Sequence, residues 1–325
     1  MRDWKTLPLG VDIGITRLRV ALGEAGAQGA VRLRAVVSRD VPDEAVGALG
    51  VEQAELVAAV IEEILLELGT RESRCVLALS APACVLRTVR LPKMSWAERL
   101  RAARFEAQRF ATWDMGSEDS VVRVHPLDRT KGIYAIGVAR KRSVDARVSV
   151  ARMAGLRAIA VDHDALAMRR IFGECDAVVD IGSDRSSLHV FGPAGPLTLV
   201  AASGGATITQ GIAADLSIDL PAAERRKRIL GCAGAGTAAR EEVVASIVSL
   251  IERARTRAAV GRIVLTGNGA RIPGLAQDLE RASGALTQTP VPQILQTSAY
   301  PDDVVRVASL DWALAAGLLS WGVAA

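Results

Sequence analysis

The chain has 325 residues, half of them hydrophobic and 23% charged, with a formal net charge of +4. That length predicts about two domains with a sizeable core and excludes a disordered or fibrous chain. Aromatic residues are only 3%, so Ala, Val and Leu must fill the core. Cys75, Cys84, Cys175 and Cys232 show no C-x-x-C spacing, which predicts a reduced cytosolic protein and not a disulfide framework. His125, His163 and His189 are far apart in sequence, which argues against a zinc site. The opening MRDWKTLPLGVDIG has no apolar h-region, so no signal peptide is expected. The most apolar stretch, Trp312–Ala325, is 14 residues long, whereas a membrane-spanning helix needs about 20; it reads as a buried C-terminal helix. Charge is uneven. Arg87–Arg157 carries sixteen Lys/Arg against seven Asp/Glu, a net +9, which leaves −5 elsewhere. Such a module suits an acidic partner, anionic lipid or nucleic acid, or is simply an Arg-rich surface.

In chain order, Leu9–Leu22 reads as strand, tight Gly turn and returning strand, with Val31–Val37 as a third strand. Glu52–Leu68 reads as a helix on the Leu56, Val60, Ile64, Leu68 spacing, with Gly69 as its stop. Cys75–Ser80 is a buried-type strand. The pattern changes at Ala81-Pro82. Cys84–Leu91 is a strand, Ser95-Trp96-Ala97-Glu98 a capping box, and the helix that follows aligns Trp96, Leu100, Ala103, Ala107 and Phe110. Strands Val121–Pro126 and Ile133–Ala139, helix Ser143–Ala154 and strand Leu156–Val161 complete a β-α-β-β-α-β order, expected as an α+β insertion with Trp96 in its core. After a helix at His163–Phe172, the second half places strands at Val178–Phe191 and Pro196–Ala202. Helices follow at Ala206–Leu216, Ala222–Ile229, Arg240–Ala258 and Leu275–Ala282, with a strand at Ile263–Thr266.

The second half opens with an echo of the first. Val178–Phe191, VVDIGSDRSSLHVF, lies 168 residues after the first hairpin, and the offset aligns Asp12 with Asp180, Gly14 with Gly182 and Arg17 with Arg185. One D-I-G turn is an ordinary β-turn. Two in register predict related halves across a cleft. Glycine lets backbone N–H groups approach an anion, and a carboxylate at a strand end can hold hydrated Mg²⁺. The helix after Gly204-Gly205 is expected to offer its N-terminal amides to phosphate.

The ordered set is D-I-G hairpin, insertion, second D-I-G hairpin, GGATIT, AERRK and IVLTGNGA. This set resembles the actin-like ATPase superfamily. The place of the insertion is similar to that of FtsA and PilM. The stretches RLPKM, FEAQ, AGL, VDHDALA and GGATITQGIAADLSIDLPAAERRK, over roughly residues 9–319, resemble the PilM family of type IV pilus assembly proteins. The resemblance implies an α/β actin-like fold of two related halves with a small α+β insertion. It divides the chain into a first part of domain I at 1–84, an insertion at 85–157, a return helix at 158–175 and domain II at 176–325.

The resemblance also implies residue roles. Asp12 and Asp180 take the Mg²⁺-side positions, holding the ion through water, and Gly14, Thr16, Gly182 and Ser186 belong to the two phosphate loops. Arg19 stands where the family usually has a phosphate-contacting Lys, and its bulkier guanidinium changes the contact. Gly204, Gly205 and Thr209 match a Gly-Gly-x-x-x-Thr segment. Glu224 and Lys227 match the ribose and adenine pair, although alone they also read as a surface ion pair. Gly267, Asn268 and Gly269 match the adenosine loop. No catalytic residue is identified beyond the candidates Asp162, His163 and Asp164, with His163 read either as a surface residue of a first helical turn or as a water-positioning group. Ile15 replaces a small or hydroxyl residue, and Phe191-Gly192-Pro193 makes the second hairpin unusual, so hydrolysis is expected to be weak at most.

The function so implied is an ATP- and Mg²⁺-binding cytoplasmic scaffold, peripheral at the inner face of the bacterial inner membrane. Its implied partner is the N-terminal cytoplasmic tail of a PilN-like single-pass membrane protein, alongside other pilus platform proteins. Membrane contact is expected only indirectly, nucleic acid not specifically, and self-assembly stays open. The rival readings are an FtsA-like division protein, which would carry a terminal amphipathic helix that this sequence lacks, and a small-molecule kinase of the same superfamily.

Overall fold

The computed structural model describes residues 4–323 apart from 49, 174, 193–194 and 290–301. Strands β1 (Lys5–Thr6), β2 (Leu9–Ile13), β3 (Arg17–Ala25) and β4 (Val31–Asp40) open the chain. The apolar run of β2 is buried along its whole length. A small ribbon of β5 (Val46–Gly47) and β6 (Gly50–Val51) leads to α1 (Ala54–Leu68) and β7 (Arg74–Leu79). Gly69 ends α1 in the left-handed region at φ 55°. The buried stripe of α1 is Val57, Val60, Ile61 and Ile64, with Leu56 exposed. The helix is thus rotated from the expected four-residue spacing, because an i, i+3, i+4, i+7 set makes the wider apolar face a sheet demands.

The insertion contains β8 (Cys84–Arg90), α2 (Trp96–Gln108), β9 (Ser120–Asp128) and β10 (Ile133–Arg140), with the three strands ordered β8-β10-β9. The capping box forms: Ser95 N–H donates to Glu98 Oε2 at 2.8 Å, and Glu98 N–H donates to Ser95 Oγ at 3.3 Å. Leu91, Ala103, Ala107, Val122, Val124, Tyr134, Ile136 and Val138 make a separate core. Trp96 is not in it; its ring is 58% exposed at the first turn of α2. The expected six-element unit ends at β10. Helix α3 (Lys141–Met153) buries Val150 and Ala151 in the core that also holds the buried stripe of α1, and β11 (Arg157–His163) pairs in parallel with β7. Both complete the first half, whose sheet runs β1-β3-β2-β7-β11 with β4 on β3.

Helix α4 (Asp164–Phe172) leads into β12 (Ala177–Ile181), β13 (Ser186–Gly192) and β14 (Gly195–Ala201). Then follow α5 (Gly205–Leu216), α6 (Leu220–Leu230), α7 (Thr237–Arg255), β15 (Arg262–Thr266), α8 (Leu275–Ser283), the short β16 (Leu286–Gln288) and α9 (Asp302–Leu319). The second sheet runs β14-β13-β12-β15-β16. Strand β16 is too short to signal itself in the sequence. Pro193, half of the unusual Gly-Pro step, lies outside the described residues; Gly192 and Gly195 beside it pair across the β13–β14 turn, at the far end from the Asp-Ile-Gly tip.

The two sheets sandwich α4 and α9. Their shared core joins Ala21, Val76 and Ala78 from the first half with Val178 and Val264 from the second, through Met168, Ile171, Trp312, Ala315 and Leu319. The helices touch backbone to backbone: a Cβ on Gly317 would fall 2.3 Å from the Ala167 carbonyl oxygen. Trp312–Ser320, within the apolar stretch expected to form a buried C-terminal helix, is buried. Among the described residues no helix is long and apolar enough to cross a membrane.

Candidate functional site

Both hairpin tips point into one cleft of about 940 Å³ between the halves. Each tip is closed by its glycine: Gly14 N–H donates to the Arg17 carbonyl at 3.0 Å and Gly182 N–H to the Arg185 carbonyl at 2.9 Å. A Cβ on either glycine would meet that same carbonyl, at 2.8 and 3.2 Å. These glycines therefore build the turn. The next amides, of Ile15, Thr16, Ser183 and Asp184, have no acceptor among the described residues and are free to receive an anion.

The helix after Gly204-Gly205 behaves differently from expectation. Gly205 N–H donates to the Gly182 carbonyl at 2.9 Å and Ala206 N–H to the Ser183 carbonyl at 2.8 Å. The first two amides of α5 are thus spent on the second hairpin. Gly204 is required there, since a Cβ would lie 2.5 Å from the Ser183 oxygen. Ser186 is fully buried and donates its hydroxyl to the Ser203 carbonyl at 2.8 Å, and it does not line the cleft; Ser183 and Ser187 do.

Glu224 and Lys227 form a built pair and not a surface one. Lys227 is 5% exposed and donates to Glu224 at 2.6 Å, Thr209 Oγ1 at 2.7 Å and the Gly205 carbonyl at 2.8 Å. Thr209 donates in turn to Glu224 at 2.6 Å, and Arg228 adds a second cation at 2.9 Å. Burial pushes the Lys227 ammonium below its usual range, while Glu224 opposes the shift. Gly267, at φ 83°, passes so close that a Cβ would sit 2.3 Å from Asp180 Oδ1. It lines the cleft with Asn268 and Gly269, and its N–H donates to the Leu310 carbonyl of α9 at 2.8 Å.

The acids at the two strand ends differ. Asp12 accepts from Arg19 Nη1 at 3.2 Å, and Arg19 Nε donates to Asp311 at 2.9 Å. Burial raises the Asp12 carboxyl above its ordinary value; Arg19 opposes this and the Asp311 charge adds to it. Asp180 has no hydrogen bond or ion pair among the described residues, and burial with the nearby Asp12 and Asp164 charges pushes it up to about 7. A half-buried acid whose side chain has no partner among the described residues is suited to a cation. Among the described residues no group of three or more His, Cys, Asp or Glu forms a metal cage. That fits Mg²⁺, which commonly takes one or two carboxylates plus water and phosphate oxygens. Arg19 does not fit its expected role, because its guanidinium is already engaged by two carboxylates.

Of the catalytic candidates only Asp164 lines the cleft. Asp162 is paired with Arg170. His163 is buried as the N-cap of α4, which removes the surface reading. Its Nδ1 lies 2.8 Å from Asp164 Oδ1. Burial pushes His163 down, but Cys84 and Asp164 outweigh it and hold the imidazole well above 6.5. The protonated Nδ1 therefore donates to Asp164, and the Ala165 N–H also goes to that carboxylate, at 2.6 Å. Burial alone would raise Asp164, but His189 and His163 hold it well below the usual carboxylate range.

The model of the type IV pilus assembly protein PilM family matches residues 10–319. The chain belongs to the PilM family. Its structure is similar to that of the PilM–PilN type IV pilus biogenesis complex, with a TM-score of 0.84 and 27% identity over 98% of this chain and 99% of that one. It is also similar to the ethanolamine utilization protein EutJ from Carboxydothermus hydrogenoformans, with a TM-score of 0.61 and 14% identity over 97% and 89%. No curated protein sequence matches. The fold of this PilM-family chain is the actin-like ATPase fold, as its duplicated hairpins and the two helices between the sheets require.

Two cleft residues, Asp311 and Arg147, and one histidine buried outside the cleft lining escape sequence reasoning. Asp311 is the single acid beside the apolar run of α9. Arg147 sits on the buried stripe of α3 with Ser143, Val150 and Ala151, and a charge on such a stripe was the available signal. His189 is fully buried in β13, with Nδ1 3.1 Å from Thr198 Oγ1.

Proposed function

We propose that the chain binds Mg-ATP between its two hairpins and acts as a scaffold of a type IV pilus inner-membrane platform, holding the cytoplasmic N-terminal tail of a PilN-like membrane protein. The open amides of both tips beside the unpartnered Asp180 carry the nucleotide half of this reading. Asp12, Asp180, Gly205, Thr209, Glu224 and Gly267 are the residues that hold nucleotide and ion. The likeness to a PilM–PilN complex over nearly all of both chains supports the partner half. Bound Mg²⁺ supplies charge neutralisation at the phosphates, and the protein supplies positioning.

Hydrolysis is slow or absent on this reading. Ile15 offers no side-chain donor at the first tip, and Asp164 is engaged by His163 and is a weak base. Turnover on the order of 1 s⁻¹ or faster, typical of kinases, would overturn that part.

The test is twofold. Mg-ATP should raise the melting temperature of the wild type, as any ligand that binds only the native state does, and should fail to do so for Asp12→Ala and Gly205→Glu. A synthetic tail peptide should bind the full chain saturably. Leu86 and Gly137 face each other across the β8–β10 ladder, so a two-residue turn can replace the residues beyond them. That shortened chain should lose the peptide and keep nucleotide. Retained peptide binding would displace the partner site from the insertion.

A further inference from the structure

Two arginines in the cleft, Arg147 and Arg185, hydrogen-bond only to backbone carbonyls. Arg147 is 7% exposed; its Nε donates to the Ala78 carbonyl at 2.7 Å, and its Nη1 lies 3.5 Å from the Ser143 carbonyl oxygen. Arg185 leaves the tip of the second hairpin and crosses to the other half, donating to the carbonyls of Ala81 at 3.1 Å and Ala48 at 2.8 Å. Among the described residues neither forms an ion pair, in contrast to Arg17 and Arg19 on the first hairpin. Burial pushes the Arg147 guanidinium below its ordinary value, with the charge of Arg185 acting in the same direction and those of Cys84, Asp12 and Asp164 against it. A buried cation whose hydrogen bonds go only to carbonyls, with Asp12 and Asp164 acting on it from beyond ion-pair distance, is costly to keep.

Both arginines line the cleft, together with Gly50 and Ser80. Gly50, at φ 129°, lies directly against this group, since a Cβ there would fall 2.8 Å from Arg147 Nη1. The guanidinium therefore lies against bare backbone. The groups suited to base and ribose, Glu224, Lys227 and Gly267, all belong to the second half. A phosphate chain that starts there and passes between the tips runs toward the first half, where Arg147 stands. Guanidinium groups bind phosphate oxygens in pairs of parallel hydrogen bonds.

We infer that Arg147 and Arg185 bind the terminal phosphoryl group of a nucleoside triphosphate, so that the cleft distinguishes triphosphate from diphosphate. The inference rests on the nucleotide reading above. It gives the terminal phosphate a contact from each half, Arg147 from α3 and Arg185 from the second hairpin.

The experiment is calorimetric titration of the full chain, with Mg²⁺ present, by ADP and by a non-hydrolysable ATP analogue. The wild type should bind the analogue more tightly than ADP. Arg147→Gln and Arg185→Gln should each weaken the analogue by about tenfold, the loss of one charge-assisted contact, and change ADP by less than about twofold. Arg147→Lys should recover part of the difference. Equal loss for both nucleotides, or no loss, overturns the inference and assigns the arginines to holding the loops. A wild type that binds ADP and the analogue equally overturns it while the nucleotide reading stands. A wild type that binds neither overturns both. If Arg147→Gln does not fold, Arg185→Gln decides, because its side chain lies outside the hydrophobic cores.

Discussion

The two hairpins share a sequence pattern and differ in charge. On the first, every cation has an acid: Arg17 meets Asp40 at 3.0 Å, and Arg19 is held between Asp12 and Asp311. On the second, Asp180 has no partner among the described residues and Arg185 reaches only carbonyls. The first hairpin is neutralised by Asp12 together with Asp40 of β4 and Asp311 of α9, and the second is electrostatically open. Duplication of a motif thus preserved the backbone turn and not the charges on it. One half of the cleft is held rigid by its own ion pairs, while the other offers charge to a ligand.

The contrast can be broken most severely at Asp311. Asp311→Ala leaves the buried Arg19 guanidinium with Asp12 alone and should cost about 3 kcal/mol, the lower end for breaking a buried pair, read by urea unfolding. A loss below about 1 kcal/mol, the scale of an exposed pair, would show that the first hairpin does not depend on that link. Asp180→Asn should do the reverse. Without nucleotide it should leave stability unchanged or raised, because it removes an unpaired, half-buried acid whose charge is disfavoured, yet it should weaken Mg-dependent ATP binding by about tenfold, or ~1.4 kcal/mol. If Asp180→Asn unfolds the chain as Asp311→Ala does, the second hairpin is not the open one.

The His163–Asp164 pair gives a pH signature at the cleft's edge. The folded value of His163 is raised, so its contribution is complete below 6.5 and is lost as pH climbs past 6.5 and through the raised value. The stability advantage of wild type over His163→Gln should therefore narrow as pH rises from 6.5 through the raised value. An advantage that widens with pH would mean the imidazole is neutral in the native state. The smallest effect belongs to Trp96→Ser, which should stay within about 0.5 kcal/mol, as for other exposed positions. A larger loss would return that ring to a packed environment.

The hairpins, their register and the sequence of helices and strands were legible because each depends on local spacing and on glycines that close turns. What stayed hidden is tertiary. Arg147 lies on a stripe that otherwise reads as core, and only the fold shows that this stripe ends at the cleft. The role expected of Arg19 failed for the same reason, since Asp311 is 292 residues away in the chain. The N-terminal amides of α5 were expected to be free, and the first two are not, because the second hairpin's own carbonyls occupy them. The insertion's far boundary was misplaced because α3 and α1 share an apolar face that neither segment declares alone.

Two consecutive residues of α9 bind opposite halves. The Leu310 carbonyl accepts from Gly267 N–H at 2.8 Å and Thr266 Oγ1 at 3.0 Å in the second half, and the Asp311 carboxylate holds Arg19 in the first. The helix thus works as the spine of a book whose covers are the two sheets. Neither cover can leave it without breaking the contacts of one of those residues. A twist of this spine by a single residue's worth of rotation would be felt at both pages at once.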